Sequence, residues 1–89
     1  MIVVDRSGRV VADSAGAGEV GATYADRPEI SAALGGRSAQ LTRHSQTLGQ
    51  DLLATSVPVL HDGRPVGAVR ITQSVDAVHR AVRNTRLDL

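Results

Sequence analysis

The sequence predicts an α+β fold: a central antiparallel sheet of about five strands, with a short helix and a loop on one face and a terminal helix on the other. Three observations carry this. An Asp-Gly pair at Asp62-Gly63 separates two apolar, β-branched runs, Leu52 to Leu60 and Pro65 to Gln73, which is a strong short-range hairpin signal. A shorter pair of apolar runs, Ile2 to Asp5 and Arg9 to Asp13, flanks the turn Arg6-Ser7-Gly8. The helical patterns are brief, one opening at Asp26 and one at Val75.

The elements follow in order. After the first hairpin, Ser14 to Thr23 is rich in Gly and Ala and reads as a loop long enough to lie over the sheet. Asp26-Arg27-Pro28-Glu29 opens a helix, with Asp26 as the cap, Pro28 in the first turn and Glu29 at the capping-box position. Ile30, Ala33 and Leu34 share a face of that helix, and Gly35-Gly36 end it. Ala39 to Ser45 is a middle strand, and Thr47 to Gln50 is a turn. In the main hairpin, Leu53, Thr55, Val57 and Val59 share one face, and Leu52, Ala54 and Ser56 the other. On the second strand Gly67, Val69 and Ile71 oppose Ala68, Arg70 and Thr72. Neither face is fully polar, so both require cover, and the chain supplies it well on one side only. Val75 to Leu89 forms a closing helix capped by Ser74 or Asp76, with Asp76 and Arg80 spaced for a weak ion pair.

The chain has 89 residues and reads as a single domain with a thin core. Tyr24 is the lone aromatic, so Val, Leu, Ile and Ala must fill that core, and stacking platforms for nucleic acid are absent. The net charge of +1 gives no polyanion-binding field. Without cysteine there is no disulfide or thiolate metal site. No apolar run of about 18 residues crosses a membrane within the chain.

The element order β-β-α-β-β-β-α is that of PAS-like folds. Four strings reinforce it: D-x-x-G-x-V at Asp5 to Val10, G-x-x-Y at Gly21 to Tyr24, R-x-E-I-x-x-A-L-x-G at Arg27 to Gly36, and V-P-V followed by G-x-x-V-G-A-V-R at Val57 to Arg70. In that order and spacing they resemble the extracytoplasmic PAS-like sensor domain, also called PDC or single-Cache, of bacterial two-component histidine kinases. The resemblance implies a domain of residues 1–89 excised from a larger membrane kinase and lacking its N-terminal helix, with the closing helix leading to a second membrane span. It implies no catalysis by the domain itself. The all-Arg, Ala- and Gly-rich composition resembles that of actinobacterial proteins. The basic and His positions with which dicarboxylate- and citrate-sensing relatives hold carboxylates fall on Val10, Asp13 and Ala54, so that set is missing here.

Five residues are candidate ligand-binding groups. Arg43 offers a planar fork of donors and His44 a pH-sensitive partner; the bland alternative is a solvated strand end. Arg70 interrupts an apolar strand, where it either meets a ligand anion or forms an internal bridge to Asp26 or Glu29, and the bridge is the favoured reading. Tyr24 either lines the pocket with its hydroxyl or is core. Ser56 joins them from the main hairpin; neither it nor Ser45 has an adjacent base in sequence. His44, His61 and His79 lack metal-ligand spacing, and Gly16-Ala17-Gly18 lacks the G-K-[ST] of a phosphate loop. No catalytic residue, cofactor or metal is expected. The expected partners are an unidentified small molecule or ion and a second copy of the chain, with membrane contact only through flanking helices. The alternative is a ligand-free dimerisation or protein-interaction module of PAS or profilin-like fold.

Overall fold

A computed structural model describes residues 1–46 and 49–84. Its elements are β1 (Ile2–Asp5), β2 (Val10–Asp13), α1 (Pro28–Leu34), β3 (Ala39–Ser45), β4 (Gln50–His61), β5 (Arg64–Ser74) and α2 (Val75–Asn84). The strands form one antiparallel sheet in the order β2-β1-β5-β4-β3. Chain-distant β1 and β5 are thus neighbours at its centre. The β4–β5 turn has positive φ at both central residues, 52° at Asp62 and 75° at Gly63. That turn geometry matches the right-handed twist of the strands it joins.

One face is the core face. Ile2, Val4, Val10, Ile30, Ala33 and Ala68 form its buried cluster, with Ala22, Tyr24 and Leu34 packed against it. α1 lies over this face and contacts β3, β4 and β5. The small aliphatic core expected from the composition is the one observed. On the opposite face Val57, Val59 and Ile71 stay between 37% and 44% exposed. α2 contacts β4 and β5 but leaves these three side chains open.

Two local readings are corrected. The Gly-rich loop does not spread over the sheet. Its first residues are exposed, and its end runs along the β2 edge, where Val10 N–H donates to Ala22 O (2.8 Å) and Gly21 N–H to Val10 O (2.9 Å). This edge pairing carries Ala22 and Tyr24 into the core. Asp26 is not the cap of α1. The N-cap is Arg27, with no side-chain cap bond, and Pro28 is the first helical residue. The fixed φ of proline starts the helix one residue later than the acidic cap would. Glu29 is thereby freed from a capping box and turns its carboxylate towards the sheet.

At the other end, β5 runs into α2 without a break. Ser74 Oγ accepts from Ala77 N–H (3.2 Å), capping α2, and donates to Gln50 Oε1 (2.8 Å). Of the two caps the sequence offered, Ser74 is the one used. The Asp76–Arg80 spacing yields no ion pair within bonding distance among the described residues. The last residues of the expected closing helix, 85–89, lie outside the described residues.

Candidate functional site

Cross-strand partners share a face, and the register places Ile2, Arg70, Ser56 and Ala39 in one row across β1, β5, β4 and β3. Arg43, four positions further along β3, keeps the same phase as Ala39. The sheet therefore presents Arg70, Ser56 and Arg43 to α1. From α1 comes Glu29, whose side chain is 0% exposed. Its Oε1 accepts from Arg43 Nη2 at 3.1 Å and from Arg70 Nη1 at 3.4 Å. The Arg70 guanidinium lies 4.9 Å from the centroid of the Tyr24 ring, and that of Arg27 lies 5.2 Å from it. Each is within cation–π range of the ring. The Tyr24 hydroxyl donates to Glu19 Oε2. This bond, with burial and the Glu19 charge added, pushes the phenol above its ordinary value.

The cluster is incompletely paired. Glu29 Oε2, Arg43 Nε, Arg70 Nε and Ser56 Oγ are buried and have no hydrogen-bond partner among the described residues. Each such group carries a desolvation penalty of about 1–3 kcal/mol. Two guanidinium groups face a single carboxylate, so the local balance is positive.

Of the five candidates, Tyr24, Arg43, Ser56 and Arg70 are brought to the α1 face of the sheet. His44 is not. It alternates to the opposite face of β3 and pairs through Nδ1 with Asp51 Oδ1 (3.0 Å), both side chains more than half exposed. The internal bridge expected of Arg70 exists, and its partner is Glu29 rather than Asp26. The sequence offers Glu29 as a capping residue and as one of two bridge partners for Arg70; its second pairing, with Arg43, is the part it does not disclose. The position of Glu29 four residues before Ala33 puts it on the helix stripe that faces the sheet, a signal masked by its resemblance to a capping residue. Among the described residues no three His, Cys, Asp or Glu side chains gather where they could hold a metal ion. None of the described helices is long and apolar enough to cross a membrane.

A central antiparallel sheet with its first strand inserted beside its last, and one short helix holding charged side chains against a single face, defines a PAS-like α+β module. The sequence matches the family model of single Cache domain 3 over residues 1–86, and the chain belongs to that family of non-catalytic sensor domains. Its fold is similar to that of the sensor domain of the V. cholerae histidine kinase DctB, with a TM-score of 0.74 and 22% sequence identity. The match covers 94% of this chain and 34% of the DctB chain, so the chain spans about a third of that solved domain. No curated protein matches the sequence.

Proposed function

We propose that the chain is the extracytoplasmic sensing domain of a membrane-bound two-component histidine kinase. A small molecule or ion is recognised at the α1 face by Arg43, Arg70, Ser56 and Tyr24, and the response leaves through α2. The observation that carries this reading is the continuity of β5: it holds Arg70 in the charged cluster and passes directly into α2 through the Ser74 cap. Membership of the Cache family supports a sensing role, and the likeness to the DctB sensor domain supports the fold on which it rests. A ligand acts only through its different affinity for two states, and a strand that joins site to output helix gives it an element to bias. A thermal-shift screen of small carboxylates, amino acids and divalent ions, on the wild type and Arg70→Ala, tests it. A ligand that stabilises the wild type and not the variant supports the proposal; a screen without any stabilising compound contradicts it.

A second reading is an interaction module that binds no ligand and acts by pairing with a second copy. Exposed Val57, Val59 and Ile71 on the open sheet face favour it. The two readings are compatible in one homodimeric sensor, and sedimentation over a concentration series tests the pairing.

A further inference from the structure

We propose that Asp62 is a site of spontaneous backbone isomerisation. Its side chain closes onto the Gly63 nitrogen as a succinimide, His61 supplies a proton to the departing oxygen, and the ring reopens to isoaspartate. The inference stands apart from the sensing reading and needs no ligand.

The β4–β5 turn exposes every group the reaction uses. Gly63 N–H makes no hydrogen bond among the described residues. A Cβ at Gly63 would meet nothing within 4 Å, so the attacking nitrogen is open to approach. The Asp62 side chain is 89% exposed, and the His61 ring stands beside it, with Nε2 3.5 Å from Oδ2. Asp62 is also the one non-glycine among the described residues with positive φ, 52°. That region is disfavoured for a residue with a Cβ. Rotation out of it, which brings Gly63 N towards Asp62 Cγ, therefore releases strain. No other Asp in the chain precedes Gly. Asp13, followed by the small Ser14, has Oδ1 engaged by Ala15 N–H (2.9 Å), and Asp5 Oδ1 accepts three hydrogen bonds.

The chemistry balances without an oxidant or cofactor. Gly63 N bonds to Asp62 Cγ, and one Cγ–O bond breaks. The oxygen leaves as water, taking one proton from the amide N–H and one from the His61 imidazolium, which acts as general acid. Water then adds to the imide. Cleavage at Cγ restores aspartate; cleavage at the α-carbonyl leaves the main chain running through Cβ and Cγ. The second product adds one methylene to a two-residue loop whose two positive φ angles match the strand twist. The His61–Arg64 pair that closes the loop loses its spacing.

The test incubates the folded chain for days at physiological temperature and near-neutral pH in heavy-oxygen water, with Asp62→Asn and His61→Gln alongside. Digestion with trypsin in ordinary water and fragmentation of the peptide spanning 44–70 then locate the product. Wild type is expected to gain one heavy oxygen and isoaspartate at position 62, with hydrogen-exchange protection lost at His61 and Arg64 in the isomerised chain. Asp62→Asn keeps the turn chemistry and reaches the same succinimide by losing ammonia, so it is expected to react faster. His61→Gln is expected to slow the reaction of Asp62 severalfold with the melting temperature unchanged. Isoaspartate that forms in urea and not in the folded chain overturns the proposal, because the turn then protects Asp62. A folded Asp62→Asn chain that yields no product overturns it as well, since Gly63 N then cannot reach the side chain. Equal rates in wild type and His61→Gln overturn the proton transfer assigned to His61.

Discussion

Glu29 on α1 and Arg70 on β5 are 41 residues apart in sequence, and their side chains meet at 3.4 Å beneath the helix. The pair fastens α1 to the central strand of the sheet. Arg70 is 15% exposed and Glu29 0%, so solvent screens the contact little. Replacing Arg70 by Ala leaves a buried carboxylate with one partner, and the expected loss is about 3 kcal/mol in urea unfolding. Arg43 is 31% exposed, and water can replace part of what it supplies, so Arg43→Ala is expected to lose about 1 kcal/mol. Equal losses for the two would contradict the ranking.

Gly67 marks a close approach that no motif announces. A Cβ there would collide with the carbonyl oxygen of Val4 across the β1–β5 pair. The neighbour is backbone in a central strand and has little room to yield. Gly67→Ala is expected to destabilise the fold by about 1–3 kcal/mol, measured by chemical denaturation.

Asp5 and Tyr24 contribute to the pH response with opposite signs. The Asp5 carboxylate accepts from the Ser7 hydroxyl (2.6 Å) and from the Ser7 and Arg9 N–H groups (2.9 and 3.1 Å), and these bonds hold it below its ordinary 3.8. Its folded value is the lower one, so its contribution is present above 3.8 and is lost as pH falls through the depressed value. Asp5→Asn is expected to flatten the acid limb of the stability curve. Tyr24 has the opposite sign. Its folded value is raised, so its contribution is present below 10.0 and is lost as pH rises through the higher value. Tyrosinate absorbance of this single tyrosine is expected to titrate above 10.0, and Glu19→Gln to bring the midpoint down.

Ser74 couples strand to helix by accepting from Ala77 N–H and donating to Gln50. Ser74→Ala is expected to remove about 1 kcal/mol from the start of α2. Hydrogen exchange should show lost protection in α2 with the sheet core unchanged; uniform loss through β4 and β5 would contradict a role at the junction.

The open face of the sheet is expected to associate. Val57, Val59 and Ile71 lie exposed there on adjacent strands. Sedimentation of the wild type is expected to show a concentration-dependent dimer, and Ile71→Lys to shift it to monomer. A strict monomer at high concentration contradicts self-association through this face.

What the sequence disclosed follows the range of the forces involved. The β4–β5 hairpin was legible because Asp62-Gly63 suits a turn with two positive φ angles, and because strand alternation separates Ala54 and Ser56 from Val57 and Val59. The Ser74 cap was legible for the same local reason. Glu29 was harder: its local chemistry resembles a cap, and its true partners come from β3 and β5, positioned only by sheet register. Arg43 and His44 show the limit most plainly. They are adjacent in sequence, yet alternation along β3 sends one to the buried cluster and the other to water. Gly67 carries no local sign, since its need is set by β1, which pairs with β5 from the far end of the chain.

The central claim is that ligand recognition occurs where Glu29, Arg43, Ser56 and Arg70 converge. Amide chemical-shift mapping by NMR during titration with a compound that stabilises the wild type in the thermal-shift screen tests it most directly. The account predicts that the largest shifts fall around Tyr24, Glu29, Arg43, Ser56 and Arg70, with smaller ones following β5 into α2. Shifts confined to α2 or to the open face around Val57 and Ile71 would contradict it.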